Sequence, residues 1–304
     1  MSRAKYHAAL RGGANSMNKN ANNNAISIRQ KLLNIAKMQG EDFQQVLVRY
    51  ALERLLYRLS LSIYAEQFVL KGALLFRLWF DLPQRPTREV DFLGFGEAEP
   101  ERLHYIFTAL VQQPLADCDD GIEFLVATLK AEPIRKTAGY PGIRINLHAR
   151  LANAMIPVQC DIGFGDAITP QALSTTFPTL LDLPAPLLRV YPLETVIAEK
   201  LEAIVKLAIF NTRLKDYFDL WVLSHAEVVD KNTLPSAIAA TFARRNTPLP
   251  KDLPVGLTQL YAHAKQQHWQ AFLMRSQLQA PPLATVVSEL ENAYWPLFQV
   301  AATL

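Results

Sequence analysis

The sequence contains few cysteines and no long apolar run. Cys118 and Cys160 are its two cysteines, which are too few for a disulfide framework and lack the spacing of a zinc site. No uncharged apolar stretch reaches the about 18 residues of a membrane span, and the N-terminus lacks the apolar segment of a signal peptide. The 12 glycines and 19 prolines exclude a collagen-like or low-complexity chain. These absences predict a cytoplasmic protein with a packed core and no membrane partner.

Basic residues are concentrated at the N-terminus. The chain has 31 Lys and Arg against 28 Asp and Glu, and residues 1–40 hold seven of the basic residues and none of the acidic ones. The rest of the chain is therefore acidic overall, which excludes a globally basic nucleic-acid-binding protein. Residues 1–25 are polar, turn-rich and without periodicity, so they predict a flexible N-terminal arm.

Apolar periodicity predicts a group of strands with helices before and after it. Ser27 is the expected N-cap of a first helix, and a second helix is expected over 42–61. Four charged residues of the second helix lie outside its apolar stripe: Arg49, Glu53, Arg54 and Arg58. Strands are expected at 68–70, 89–94, 124–129, 142–147 and 156–162, with a loop over 163–192. Helices are expected at 73–80, 101–112, 194–210, 213–225, 234–244, 257–273 and 283–301.

Two acidic side chains lie two residues apart on a predicted strand. Glu89 and Asp91 therefore share one face of the sheet. Two like charges at this spacing are costly unless a cation lies between them. Asp161, near the end of a later strand, is a candidate third ligand, and three carboxylates suit Mg²⁺ or Mn²⁺. The alternative is that these acids are solvated residues at strand ends.

A short turn of small residues precedes this pair. Lys71, Gly72 and Ala73 follow a strand and open a helix, where backbone N–H groups favour phosphate. Thr87, just before the acids, either contacts phosphate oxygens or fixes the loop. A nucleotide-binding turn beside a metal site is the resulting prediction.

Another charged group occurs in the helical region. Asp216 and Asp219 lie three residues apart, which places them on one helix face. Lys200 is a candidate ligand for a nucleotide phosphate. Surface ion pairs are the alternative interpretation of these charges.

Five sequence blocks together resemble the AbiEii/AbiGii toxin family, the nucleotidyltransferase toxins of bacterial abortive-infection toxin–antitoxin systems. The blocks are FVLKGALLF at 68–76, RPTREVD at 85–91, DIGFGD at 161–166, YPLETVIAEKLEA at 191–203 and RLKDYFD at 213–219. The resemblance implies an α+β protein, with a polymerase-beta-like nucleotidyltransferase core and mixed sheet over 26–190. A helical C-terminal domain is expected over 191–304.

The resemblance also implies an activity and its partners. The activity is transfer of a nucleotide from an NTP, with Mg²⁺, to an acceptor, which for related toxins is the 3′ end of tRNA; transfer would block growth. A cognate antitoxin is an expected protein partner. The implied functional residues are Glu89, Asp91, Lys200 and Asp216, with Asp219 a further candidate and Lys71, Gly72 and Ala73 forming the nucleotide turn.

The sequence departs from the family pattern at two positions. Glu89 stands where the family usually has Asp, and Ala73 stands where it often has a second glycine. The longer Glu89 side chain favours an alternative, a catalytically degenerate transferase that acts as a binding protein. A metal-dependent RNase that uses the same three acids is a further alternative.

Overall fold

The computed structural model describes residues 23–80, 87–116, 118–134, 142–226 and 229–304. The chain forms two compact units. The first contains the described residues within Met1–Leu74, Thr87–Phe164 and Ser174–Leu188, and the second those within Leu75–Pro86, Gly165–Leu173 and Arg189–Leu304. Residues 1–22 of the predicted arm lie outside the described residues. The predicted domain boundaries stay a prediction.

A seven-stranded mixed sheet forms the centre of the first unit. Its strands are β1 (Phe68–Lys71), β2 (Glu89–Gly94), β3 (Ile122–Pro133), β4 (Gly142–Leu151), β5 (Ala154–Phe164), β6 (Leu173–Thr176) and β7 (Leu187–Val190). They are ordered β3-β4-β5-β2-β1-β7-β6. The β2–β5 pair is parallel, whereas β1–β2, β3–β4 and β4–β5 are antiparallel. The predicted α+β class is confirmed.

Alternation of side chains gives this sheet one apolar face. Val90, Ile145 and Cys160 are fully buried, and the residues beside them in each strand point the other way. Helix α2 (Phe43–Ser60) packs on β5, and α4 (Pro100–Gln112) packs on β3 and β4. The opposite face carries the acidic residues predicted as a site.

Two local predictions for this unit are wrong. Residues 23–39 form helix α1, so Ser27 lies inside a helix rather than at its N-cap, because Ala25 extends the buried stripe of Ile28 and Leu32 toward the N-terminus. The predicted loop 163–192 contains β6 and β7. These strands have four residues each, too few for a period of two to stand out.

Three charged residues of α2 are buried although they lie off its apolar stripe. Glu53, Arg54 and Arg58 are buried. Arg58 binds the carboxylate of Asp120 at 2.7 Å, and Arg54 donates to the carbonyl of Pro184 at 2.8 Å. Glu53 accepts a 2.7 Å hydrogen bond from the backbone of Leu180. Loops distant in sequence thus cover this side of α2 and supply polar partners for it.

The second unit is helical. Its helices are α3 (Phe76–Trp79), α5 (Leu193–Leu207), α6 (Leu214–Ser224), α7 (Leu234–Arg244), α8 (Gln259–Ser276) and α9 (Leu283–Ala301). Helix α5 packs on α7, and α6, α7 and α8 each pack on α9. Trp269, Tyr261 and Phe298 are among its largest buried side chains. The helices predicted beyond residue 193 are confirmed, and within the described ranges none is long and apolar enough to cross a membrane.

Candidate active site

The two acids of β2 lie on the same face of the sheet. Glu89 and Asp91 are half-buried, whereas Val90 between them is fully buried. In the parallel β2–β5 ladder Glu89 is opposite Gln159 and Asp91 is opposite Asp161. Gln159 donates a 2.7 Å hydrogen bond to Glu89 Oε2. Register and pleat therefore place three carboxylates on the same face of two neighbouring strands.

A glycine turn contacts this cluster. Gly72 follows β1 with φ +78°, a conformation that favours glycine. A Cβ at this position would lie 2.9 Å from Asp91 Cγ and nearer still to Oδ2. Only a residue without a side chain lets the backbone approach the Asp91 carboxylate this closely.

The other residues of the predicted nucleotide turn are placed around it. Lys71 is the direct partner of Asp91 across the antiparallel β1–β2 ladder, so both side chains share a face. Ala73 lies in the 3₁₀ turn Gly72–Leu75. The Thr87 hydroxyl donates to the Glu89 carbonyl at 3.1 Å, which fixes the entry to β2. The sequence block before Thr87, residues 85–86, lies outside the described residues.

Asp161 forms an ion pair with a strand neighbour. Arg144 on β4 binds its two oxygens through Nε at 2.8 Å and Nη2 at 2.7 Å. The hydrogen bonds to Asp161 raise the pKa of Arg144; burial opposes this, and the charges of Asp161, Glu89 and Asp91 add to it. Burial likewise raises the pKa of the Cys160 thiol on the other face, with added contributions from the Asp161 and Asp91 charges. Arg144 is thus near enough to all three carboxylates of this sheet face for their charges to act on it.

The donor chemistry of this cluster fits a hard divalent cation. Within the part of the chain that the structure describes, no three His, Cys, Asp or Glu side chains are grouped so as to hold a metal ion. Glu89 and Asp91 remain as two oxygen ligands on one face, and Mg²⁺ is commonly bound by one or two carboxylates plus substrate phosphates and water. The metal roles predicted for Glu89, Asp91 and Asp161 stay predictions.

The helical unit holds a second charged cluster. Lys200 on α5 donates to Asp216 Oδ1 at 2.9 Å and to Asp219 Oδ2 at 2.7 Å, both on α6. Arg213 approaches the other oxygen of Asp216 at 2.6 Å. Asp216 and Asp219 are buried, and the Lys200 side chain is 13% exposed. These contacts are not the solvated surface pairs of the alternative interpretation.

Arg245 forms ion pairs with acids that precede and follow Lys200 in the sequence. Arg245 lies 3.0 Å from carboxylate oxygens of Glu199, Glu202 and Asp166. Burial lowers the pKa of Arg245, but the charges of Glu199 and Asp166 and the contacts to Glu202 raise it well above its ordinary value. Arg245 thereby holds α5 through Glu199, just before Lys200, and Glu202, two residues after it.

The comparisons with known proteins identify the family. The sequence model described as the nucleotidyl transferase AbiEii toxin of a type IV toxin–antitoxin system matches residues 54–301. The chain belongs to the AbiEii family. The match includes both charged clusters, and the resemblance seen in the sequence is confirmed. As an AbiEii-family chain it is a nucleotidyltransferase of a toxin–antitoxin system, with an NTP as substrate.

Two solved structures resemble this AbiEii-family chain. JHP933 from Helicobacter pylori is 14% identical, with coverage of 86% of this chain and 95% of that chain and a TM-score of 0.48. A candidate nucleotidyltransferase from H. pylori is 15% identical, with coverage of 86% and 98% and a TM-score of 0.46. None of the curated proteins compared with the chain matches it.

Sequence reasoning missed three residues of these clusters. Arg144 and Gln159 bind predicted site acids, and Arg245 binds the acids beside Lys200. The alternation of Ile143 and Ile145 places Arg144 on the polar face of β4, but strand order was needed to make it a neighbour of Asp161.

Proposed function

We propose that this chain transfers a nucleotide from an NTP to the 3′ end of a tRNA, in a reaction that requires Mg²⁺. The observation that carries the proposal is the contact of the Gly72 turn with Asp91, next to Glu89 on the same sheet face. A tight backbone turn beside paired carboxylates is a combination that accommodates both a phosphate chain and its metal ion. Family membership supports the NTP and the transfer chemistry.

The residues of this sheet face have different proposed roles in binding the NTP and its metal ion. Glu89 and Asp91 would hold the divalent ion, which when bound supplies positive charge to the phosphates. Lys71 is the cation on the β1 side of Asp91. The Thr87–Glu89 hydrogen bond keeps the strand entry, and with it the Glu89 backbone, in one position.

The reaction is a displacement at the α-phosphorus. A hydroxyl oxygen of the acceptor forms a bond to phosphorus, the bond to the bridging oxygen breaks, pyrophosphate leaves and the hydroxyl proton passes to water. The protein contributes position and charge rather than a covalent intermediate. The departure from the family pattern at Glu89 keeps the carboxylate but lengthens its side chain by one methylene.

Lys200 and Asp216 are assigned supporting roles. Lys200 is the proposed point charge for a nucleotide phosphate, and Asp216 is the residue that orients it. The 2.9 Å contact between them supports the second role, because a lysine shared by two buried carboxylates is held in one conformation. Cation–phosphate attraction of this kind stabilises the charge that develops during transfer.

Labelling of RNA tests the proposal. The purified chain is incubated with Mg²⁺, total RNA and each of the four α-³²P-labelled NTPs in turn, and the RNA is resolved by size. Transfer to tRNA gives a labelled tRNA band that is absent with EDTA. Label in another RNA or in protein would refute the tRNA acceptor while leaving the transfer reaction standing.

The same gel separates the alternatives. An RNase shortens the RNA without incorporating label, and a degenerate transferase binds NTP but neither labels nor shortens RNA. Expression of the chain in a bacterial host, compared with the Asp91→Asn variant, tests toxicity: growth arrest is expected from the first and not from the second.

A further inference from the structure

An exposed patch in the helical unit combines an aromatic ring with other apolar side chains. Phe210, in the 3₁₀ turn Ala208–Phe210 after α5, is 84% exposed, the highest value for any Phe, Tyr or Trp side chain in the described part of the chain. A second 3₁₀ turn, Val255–Leu257, packs on the first. Leu207, which precedes the first turn, and Val255, which opens the second, are also exposed. Leu207, Phe210 and Val255 are called the Phe210 patch below.

The residue that follows Phe210 anchors the turn. Asn211 is fully buried. Its backbone carbonyl accepts a 3.0 Å hydrogen bond from the Tyr261 hydroxyl, and its side-chain oxygen accepts a 2.8 Å hydrogen bond from the backbone N–H of Arg213. Phe210 is therefore presented to solvent by a turn that is fixed at its end, so a ligand that binds the ring has little of the protein to order.

The charges that flank Phe210 in the sequence are positive. Residues 203–215 include Lys206, Arg213 and Lys215 but no Asp or Glu. The side chains of Lys206 and Arg213 are 40% and 51% exposed. Because an extended chain spans at most about 3.6 Å per residue, the Cα atoms of these two residues lie within about 15 Å of the Phe210 Cα atom. One aromatic ring and two exposed cations thus occupy a short stretch of surface.

The acids nearest to these cations along the chain are inside the protein. Glu202 and Asp216 are buried, and they are bound there by Arg245 and Lys200 at 3.0 and 2.9 Å. The Lys206 ammonium is 3.7 Å from Glu202, beyond hydrogen-bond distance. The positive charge of Lys206 therefore remains on the surface.

Arg213 likewise keeps part of its guanidinium for a ligand. Its Nε lies 2.6 Å from Asp216. Its two Nη groups make no hydrogen bond to the residues that the structure describes. A guanidinium binds phosphate oxygens through such paired N–H groups and is charged at every physiological pH.

We propose that the Phe210 patch binds an unpaired segment of the RNA acceptor: a base stacks on the Phe210 ring, and neighbouring phosphates contact Lys206 and Arg213. This inference rests on the proposed function and adds a binding site for its acceptor. The site lies wholly within the helical unit.

The chemistry of the patch favours unpaired RNA over duplex RNA or a protein. Single-stranded nucleic acids are bound by aromatic rings that stack on the bases and by cations that follow the backbone. In a duplex the bases are already stacked on one another, so their faces cannot reach the Phe210 ring. Three exposed apolar side chains are also far fewer than the about 20–30 residues that each partner contributes to a stable protein interface.

Arg213 connects the Phe210 patch to the cluster around Lys200. Its Nε contacts the Asp216 carboxylate, which accepts the hydrogen bond from Lys200. A phosphate on the Nη groups of Arg213 is therefore separated from the Lys200 ammonium by one carboxylate. RNA held at the patch would lead toward the lysine that the proposed function assigns to a nucleotide phosphate.

RNA binding without NTP or metal ion tests the stacking contact. The probe is a fluorescein-labelled, unstructured RNA of about 12 nucleotides, and its Kd for the full chain is measured by anisotropy in EDTA. Phe210→Ala is expected to raise Kd about 5- to 100-fold, the scale of one lost base–aromatic stack, whereas Phe210→Trp should stay within about threefold of the wild type. Tyr105→Ala is the matched control, since Tyr105 is an exposed aromatic residue of the other unit; its Kd should equal that of the wild type.

Salt dependence tests the phosphate contacts. Removing one cation that contacts a single strand lowers the slope of log Kd against log salt concentration by about 0.7. That reduction is expected for Lys206→Gln and for Arg213→Gln. Lys231→Gln, which replaces an exposed lysine elsewhere in the helical unit, should leave the slope unchanged. Thermal unfolding shows which variants are folded, and Lys206→Gln decides the matter if Arg213→Gln is not.

The outcomes separate this inference from the proposed function. An unchanged Kd for Phe210→Ala overturns the inference, and so does a duplex of the same length that binds as tightly as the single strand. A slope that neither cation variant reduces overturns the phosphate contacts. If the wild type transfers no nucleotide but binds the single strand through Phe210, the proposed function fails and the binding site stands.

Discussion

Lys200 donates a 2.9 Å hydrogen bond to Asp216, and the carboxylate that receives it is almost fully buried. Burial lowers the pKa of Lys200, but the charges of Asp216 and Asp219 raise it overall. Burial raises the pKa of Asp216, but the charges of Lys200 and Arg213 lower it overall. Both partners are therefore held in their ionised forms.

The first prediction concerns acid stability. Since the folded pKa of Asp216 is below its unfolded value of about 3.9, its stabilising contribution is present above that value and is lost as pH falls through the folded pKa. The difference in unfolding free energy between the wild type and Asp216→Asn should be constant from about pH 5 to pH 9 and should shrink below about pH 4. Urea unfolding across this range measures it, and a difference that grows in acid would contradict the assignment.

The second prediction removes the shared cation. Lys200→Met leaves Asp216 and Asp219 buried without it, so a loss of about 3–5 kcal/mol in unfolding free energy is expected. Lys251→Met, which replaces an exposed lysine of the same unit, is the control and should change stability by less than about 0.5 kcal/mol. Similar losses from the two variants in urea unfolding would argue against a buried pair.

The third prediction uses two glycines with positive φ. Gly72→Ala meets both the backbone strain and the Asp91 side chain, whereas Gly40→Ala at φ +65° has nothing within 4 Å. Gly40→Ala is expected to cost about 1–2 kcal/mol, and Gly72→Ala more, with loss of nucleotide transfer. Unfolding and labelling assays on both variants distinguish the loss of stability from the loss of activity. Equal activity in both variants would show that nucleotide transfer does not depend on the Gly72–Asp91 contact.

The fourth prediction concerns the acids that flank Lys200. Arg245→Gln uncouples Glu199, Glu202 and Asp166, which all lie 3.0 Å from it. A loss of about 3–5 kcal/mol is expected because the buried Glu202 and the half-buried Glu199 and Asp166 lose the cation that they share. Arg275→Gln is the control, since Arg275 is exposed and, among the residues that the structure describes, hydrogen-bonds the Ala271 carbonyl alone. Calorimetric unfolding should separate the variants clearly.

The fifth prediction addresses the proposed chemistry. Asp91→Asn keeps the shape of the side chain but removes a ligand charge, so nucleotide transfer should fall at least about 100-fold. Glu123→Gln, an exposed acid on β3, should keep wild-type activity. Transfer by Asp91→Asn at the wild-type rate would be incompatible with the site as assigned.

Much of the fold could be predicted from local patterns. The alternation of polar and apolar residues over 89–92 and the apolar stripe of α9 have the periods of their elements, so strand and helix were predictable at both places. The short strands β6 and β7 were missed because four residues in a segment rich in Thr and Pro give too little pattern.

The sequence could not predict which residues the charged side chains bind. Arg54 and Arg58 are off the stripe of α2 yet buried, because Asp120 and Pro184 reach them from distant positions. Asp161 was predicted as a metal ligand from its residue type and its place near the end of a strand, whereas its pairing with Arg144 follows from strand order. Pairing across the sheet is a long-range property, and no local spacing encodes it.

The polar contacts of α2 limit how early the first unit can finish folding during translation. Arg54 and Glu53 bond residues 184 and 180, which are translated 130 and 127 residues later. While the chain is still emerging from the ribosome, these side chains have no native partner and must stay hydrated. The first unit can therefore complete its interior only after residue 184 has left the exit tunnel, which gives chaperones a long interval in which to bind it.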